Sequence, residues 1–211
     1  MGILYDKDIR EPLFEFLEEV YGKVRIIEEK SMGKSRADVV MVTPDLLYGI
    51  EIKSDADTYA RLKRQIRDYD LYYDCNYAVV GTSHAMHIGE HLPAWWGIIT
   101  AELVENKVDF YIMRRPRQSP KLDWKRKIDI LWRPELAHIQ ELNGLPKYKE
   151  RSKLFVQEKL LEKVPLDILQ MQLCEELFER DYTEIGEKIQ EFRKQNGKRA
   201  RRKRKPARLK K

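Results

Sequence analysis

The stretch that most limits how this chain can fold is Gly49-Ile50-Glu51-Ile52-Lys53-Ser54. An acid and a lysine stand two residues apart in an apolar, strand-like run. Successive side chains of a strand alternate in face, so Glu51 and Lys53 share one face and Ile50 and Ile52 the other. Opposite charges on a half-buried strand carry a desolvation cost unless partners meet them. A second strand-like run, Ala37-Asp38-Val39-Val40-Met41-Val42, precedes it, and Thr43-Pro44-Asp45 reads as the turn between them. If the runs are neighbours in a sheet, Asp38 approaches Glu51. Two carboxylates brought together favour a divalent cation between them.

The elements around this pair follow from periodicity and punctuation. Asp8-Ile9-Arg10-Glu11 has the spacing of a capping box, with Asp8 as N-cap and Glu11 three residues on. Ile9, Leu13, Phe16 or Leu17, and Val20 repeat at helical spacing, which predicts a helix over 8–21 stopped by Gly22. Residues 24–27 read as a strand and 31–35 as a loop. Strands follow at 37–42 and 47–53. Residues 54–73 read as a helix capped by Asp55 or Asp57, with Leu62, Ile66 and Tyr69 or Tyr73 as its apolar stripe. A short buried strand at 77–81 and a helix at 83–92 come next. Runs at 97–104 and 108–113 flank Glu105-Asn106-Lys107 as a hairpin. Residues 114–127, rich in Arg, Lys and Pro, read as a surface loop. Helices are predicted at 134–143, 150–163 and 166–180, the last with Leu166, Leu169, Leu173 and Leu177 as its stripe. The order α-β-β-β-α-β, then a helix and a hairpin, predicts an α/β fold with a mixed sheet followed by a C-terminal helical region.

Charge is unevenly spread. The chain carries a net +6, yet Lys198 to Lys211 alone holds ten Lys/Arg and no acid, which leaves the other residues at −4. The expectation is a mildly acidic body over 1–196 with a basic, disordered tail over 197–211. Lys198, Arg199, Arg201, Arg202, Lys203, Arg204 and Lys205 of that tail would bind phosphates without reading sequence. A solvated end with no specific role is the alternative. No apolar run of about 18 residues is present, so no membrane span is expected. Asp6, Asp8 and Glu11 fall where the apolar part of a secretory leader would lie, and the two cysteines, Cys75 and Cys174, suggest no disulfide framework. A cytoplasmic protein is the expectation.

Two carboxylates and a lysine on neighbouring strands are suited to metal-assisted hydrolysis of phosphodiesters. Asp38 and Glu51 would bind Mg²⁺ or Mn²⁺, hard ions that prefer oxygen ligands. The metal would acidify a bound water, and Lys53 would orient that water or stabilise the charge that builds on the phosphate. The spacing Asp38, twelve residues, then Glu51-Ile52-Lys53 resembles the PD-(D/E)XK nuclease superfamily. Ala37 stands where that motif's proline would be. The resemblance implies a restriction-endonuclease-like αβββαβ core, metal binding by Asp38, Glu51 and the Ile52 backbone carbonyl, and a catalytic Lys53. Gln65-Ile66-Arg67-Asp68-Tyr69 fits the Q-x-x-x-Y signature of its RecB-like members, with Gln65 and Tyr69 four apart on one helix face. More narrowly, Arg36-Ala37-Asp38, the run from Glu51 to Thr58, Arg61-Leu62, and later Pro93-Ala94-Trp95-Trp96-Gly97 and Leu131-Trp132-Arg133-Pro134-Glu135-Leu136 resemble a bacterial and phage family of predicted nucleases.

These readings assign residues 1–133 to a nuclease-like domain and 134–196 to a helical extension. Arg61, Gln65 and Tyr69 would form a polar ledge touching substrate phosphates, joined by Arg36. The superfamily often adds an acid upstream of the first carboxylate. Glu29 is favoured here and Glu28 is the alternative, with Glu11 behind both. His84, His87 and His91 share one helix face, where zinc binding is weaker than the reading of an exposed face. At least one of Trp95 and Trp96 is expected in the core. The function expected is a Mg²⁺- or Mn²⁺-dependent deoxyribonuclease using metal-activated water on DNA. The alternatives are a nucleic-acid-binding protein whose nuclease-like core does not cut, or a structural ion-pair network at Asp38, Glu51 and Lys53. The C-terminal helices could serve a homodimer or a protein partner.

Overall fold

The computed structural model describes residues 4–148 and 150–180. Met1–Phe178 form one compact unit and Glu179–Lys211 a second. The first begins with helix α1 (Asp6–Tyr21), strands β1 (Arg25–Met32), β2 (Ser35–Val42) and β3 (Leu47–Lys53), helix α2 (Leu62–Tyr72) and strand β4 (Cys75–Gly81). This is the expected α-β-β-β-α-β order. Two short helices follow, α3 (Thr82–Ala85) and α4 (Ile88–His91), then β5 (Gly97–Val104) and β6 (Lys107–Arg114). Helices α5 (Trp124–Ile128), α6 (Arg133–Leu142), α7 (Lys153–Lys163) and α8 (Leu166–Phe178) complete the described elements. The fold is α/β, with a six-stranded sheet in the order β1-β2-β3-β4-β5-β6. It is mixed: β3–β4 and β4–β5 are parallel and the other pairs antiparallel.

The two faces of the sheet are set by residue parity. Val39 and Met41 of β2 and Ile50 and Ile52 of β3 point toward α1, where they pack with Ile9, Leu13 and Leu17. Val40, Val42 and Leu47 point the other way and share a cluster with Leu62, Tyr69 and Tyr73 around α2. Asp38, Glu51 and Lys53 have the parity of this second face. Gly49 lies on it too. A Cβ there would stand 2.6 Å from the Tyr69 ring and closer still to Tyr73, so only glycine lets α2 settle this near the sheet.

Several local expectations are corrected. Helix α1 starts earlier than Asp8: Tyr5 is the N-cap and Asp8 accepts its backbone N–H at 3.0 Å. Strand β1 runs to Met32, so 31–35 is a two-residue turn at Gly33-Lys34, with Gly33 at φ 54°. Helix α2 starts at Leu62, not near Ser54. Asp57 accepts the backbone N–H and hydroxyl of Ser54, and Asp55 accepts from Leu4 N and from Ser83 N and Oγ. Such side chains compete with helical hydrogen bonding, which explains the late start. The helix expected over 83–92 is broken between α3 and α4. Tyr59 packs there with His84 and His91, at ring separations of 4.9 and 4.5 Å.

The segment read as a surface loop over 114–127 is partly interior. Lys127 is fully buried, 2.5 Å from Asp74 Oδ1 and hydrogen-bonded to Gln170 of α8. Asp74 also accepts Leu47 N at 2.8 Å. Packing crosses the expected boundary at 133, because Ile128, Ile130, Leu136, Ile139, Val156, Leu160, Leu169, Leu173 and Leu177 belong to the cluster that contains Tyr69. Leu166, placed in the apolar stripe of α8, is exposed. Trp96 is fully buried, and both Trp95 and Trp96 donate their indole N–H to Asp70.

Candidate metal and phosphate site

The β2–β3 register pairs Val39 with Ile50 and Val40 with Gly49. One residue further along, that register sets Asp38 opposite Glu51. Asp38 Oδ2 accepts the Ile52 backbone N–H at 2.9 Å, so the first carboxylate is anchored on the strand carrying the second. Burial and then the nearby Glu51 push the Asp38 carboxyl up to about 7, against the lowering influence of the Ile52 amide, Lys53 and Arg10.

Glu51 and Lys53 are almost fully buried, with relative exposures of 1% and 4%. Lys53 Nζ donates to Glu51 Oε1 at 2.6 Å and to Gln65 Oε1 at 3.4 Å. Gln65 Nε2 donates to the same Glu51 oxygen. The Tyr69 hydroxyl stands 2.8 Å from Glu51 Oε2 and 3.1 Å from Ile50 O, and accepts the Asp38 N–H at 3.2 Å. Burial, with Glu51 and Asp38 adding to it, raises the Tyr69 phenol far up, so it stays a neutral donor. Asp38, Glu51 and Lys53, chosen from strand spacing, and Gln65 and Tyr69, chosen from the Q-x-x-x-Y resemblance, therefore meet at one place.

The expected ledge is corrected in one respect. Tyr69 is fully buried and touches the two carboxylate-bearing strands, not the surface. It positions Glu51 and the Asp38 backbone and cannot reach a substrate phosphate. Gln65 and Arg61 do line the cleft that opens above the centre, as do Arg36 and Ile52. The cleft has a volume of about 500 Å³. Its lining mixes the cations Arg10, Lys34, Arg36, Arg61 and Arg64 with the acids Asp6, Glu29 and Asp57 beside Asp38, Glu51 and Lys53. Arg10 and Arg36 are taken up by Asp6 and Glu29, which leaves Lys34, Arg61 and Arg64 as the side chains that suit a polyanion drawn onto a bound cation.

The upstream acids stand apart from Asp38 and Glu51. Glu29 lines the cleft, but its carboxylate pairs with Arg36 at 3.0 Å. Glu28 turns to Arg10 at 3.4 Å. Glu29 sits at φ 52°, and pairing with β2 is interrupted there, between Glu28↔Val39 and Lys30↔Ala37. A left-handed non-glycine residue costs about 1–2 kcal/mol, and such strain gathers at functional sites. Glu11 is exposed. Among the described residues no group of three or more His, Cys, Asp or Glu side chains stands ready to hold an ion. What fits a hard divalent cation is the pair itself: two facing carboxylates, oxygen donors only, one of them driven up to about 7 partly by its neighbour's charge.

Arg10 was not selected from sequence. It reaches over from α1, donating to Asp38 O at 3.2 Å, pairing with Asp6 at 2.7 Å and lying 3.8 Å from Asp38 Oδ1. The Asp6–Arg10 pair was not legible, because the helix read from sequence began at Asp8, two residues after Asp6. Nor was the docking of that helix beside Asp38. Arg64, one residue before Gln65, was legible as a neighbour of the signature and also lines the cleft. The tail residues Lys198, Arg199, Arg201, Arg202, Lys203, Arg204 and Lys205 lie outside the described residues.

Fold and site together define a mixed α/β protein with an acid–lysine centre in a cleft lined by charged side chains of both signs. Its sequence matches the bacteriophage P4 protein cII family over residues 3–207, and the chain belongs to that family. No curated protein and no solved structure matches it. No helix among the described residues is long and apolar enough to cross a membrane.

Proposed function

We propose that this protein is a Mg²⁺- or Mn²⁺-dependent nuclease of the PD-(D/E)XK superfamily, of the RecB-like Q-x-x-x-Y type, that hydrolyses phosphodiester bonds of DNA in the cytoplasm. The observation that carries the reading is the convergence of Asp38, Glu51, Lys53 and Gln65 in one charged cleft, with Tyr69 buried beneath them against Glu51.

Asp38 and Glu51 would hold the cation, with the Ile52 carbonyl as a further oxygen ligand; of the upstream acids, Glu29 lines the cleft but is paired with Arg36. When bound, the cation supplies an acidified water and positive charge toward the scissile phosphate. Tyr69 and Gln65 fix the Glu51 carboxylate in place, so little reorganisation is needed. Lys53 donates to Glu51. With a cation held by Glu51, the Lys53 ammonium would have donors for a phosphate oxygen or the attacking water. Arg36 and Arg61 would hold flanking phosphates, and the basic tail would add affinity that does not depend on sequence.

The test is cleavage of plasmid and oligonucleotide DNA with Mg²⁺ or Mn²⁺. Asp38→Asn and Lys53→Ala are each expected to lose about 100-fold or more in rate, the scale for removing one preorganised electrostatic group. Parent-like rates in both would remove the assignment.

A second reading is a nucleic-acid-binding protein whose core does not cut. It is favoured by the way protein donors from Lys53, Gln65 and Tyr69 take up both oxygens of Glu51. Titration calorimetry with Mn²⁺ separates the two. Heat of binding that disappears in Glu51→Gln supports the nuclease, and its absence in the parent supports the non-cutting protein.

A further inference from the structure

The cleft does not end at Arg64. That residue also lines a second groove, of about 560 Å³, together with Lys63, Arg67 and Lys121. Lys63 and Ile66 line both the second groove and a third, of about 420 Å³, whose other walls include Tyr59, His91, Leu92 and Pro93. The three grooves therefore follow one another along the outer face of α2.

The charges on that face are of one sign. Arg61, Lys63, Arg64 and Arg67 are all exposed. The acids of the helix are spent inward: Asp68 accepts from Ser35 at 2.5 Å, and Asp70 accepts from the Trp95 and Trp96 indoles. Among the described residues Lys63 and Arg64 have no carboxylate partner, and Arg67 reaches Asp68 only at 3.7 Å. Lys121 continues the strip, lying over the Trp95 ring at 5.0 Å and 3.6 Å from Asp70 Oδ2. Exposed cations in a row, Lys63 and Arg64 among them without a carboxylate partner, suit successive phosphates.

The third groove has a different character. Tyr59, Leu62, Ile66, Leu92 and Pro93 give it apolar walls, with Glu90 and His91 also lining it and Lys63 at the edge it shares with the strip. Apolar walls take the flat face of a base. In a duplex those faces are hidden in the stack, so only an unstacked nucleotide can offer one. We infer that the outer face of α2 is a binding track for a single nucleic-acid strand that continues into the cleft, with phosphates on Lys63, Arg64 and Arg67 and an unstacked base against Tyr59 and Ile66. The inference rests on the nuclease reading for what lies at the end of the track, but binding along it does not require cleavage.

The experiment is fluorescence anisotropy of the full chain with labelled oligothymidine of about 15 nucleotides, in EDTA across a salt series, against a hairpin duplex of equal charge. The parent is expected to favour the single strand. Lys63→Glu with Arg67→Glu should weaken that binding about tenfold and lower the slope of log K against log salt by about 1.4, for two phosphate contacts of single-strand type. Ile66→Gln, a change tolerated by a helix, should weaken binding while leaving the slope as in the parent. Circular dichroism melts confirm that each variant is folded. Parent-like affinity and slope in the charge reversal overturn the track, as does equal or stronger binding of the duplex. A parent that binds in this way but cuts nothing with Mg²⁺ or Mn²⁺ leaves the track standing and removes the nuclease. A parent that cuts while the folded variants bind like the parent does the reverse.

Discussion

Asp38 is the residue whose surroundings depart most usefully from the ordinary. Its carboxyl titrates at about 7 in the fold, against 3.8 for the unperturbed group, because it is buried and faces Glu51. Between those values the folded state holds a proton that the unfolded chain has released. Stability of the ion-free protein from this group is therefore greatest at low pH and is lost as pH rises through about 4 to 7. Thermal melts in EDTA are expected to show a fall in Tm over that window, flattened in Asp38→Asn, which cannot ionise. The same slope in both proteins would put the titration elsewhere. Tyr69 shows how two readings can both hold. The Q-x-x-x-Y resemblance marked it as part of the centre, and helical period offered Tyr69 or Tyr73 for the apolar stripe; both tyrosines are buried, and Tyr69 meets Glu51 from the core side.

At the scale of elements, the centre depends on how closely α2 lies on β3. Gly49 permits the approach, and Gly49→Ala should push Tyr69 and Tyr73 outward. The expected result is a folded but destabilised protein, by about 1–3 kcal/mol in urea titration as for overpacked cores, whose cleavage falls well beyond what the stability loss explains. Unchanged activity with unchanged stability would mean that α2 is not held by this contact. The alternation of β2 and β3 and the short turn between them were legible because period and turn chemistry are local. The start of α2 was not, because Asp55 and Asp57 resemble caps in sequence yet bond to Leu4, Ser54 and Ser83. Glu29 was chosen by distance along the chain from Asp38. Its positive φ, and the turn of its carboxylate toward Arg36, arise from tertiary packing that no local pattern records.

At the scale of the whole molecule, the helices after 133 are built into the body that holds the site. Gln170 of α8 bonds to Lys127, Asp74 and the Asp45 carbonyl, and so ties the last described helix to the turn between β2 and β3. Asp74 and Lys127 form a buried ion pair, whose rupture costs about 3–5 kcal/mol. A chain ended at 133 loses Gln170 and the leucines of α6 to α8 together. It is expected to lack a cooperative urea transition, whereas a chain ended at 180 should keep one. Cooperative unfolding of the 133-residue fragment would restore the boundary placed there from sequence. That boundary followed a real change from strands to helices. It missed that the apolar stripes of those helices pack against the same cluster as α2.

The central claim is that Asp38 and Glu51 share a divalent cation. Anomalous diffraction from crystals soaked in Mn²⁺ addresses it without reliance on substrate, rate or folding. The account expects one strong peak between the two carboxylates, with Lys53 Nζ drawn away from Glu51 Oε1. A fully occupied Mn²⁺ elsewhere in the molecule, with the Lys53–Glu51 pair intact and no peak at Asp38, would contradict it.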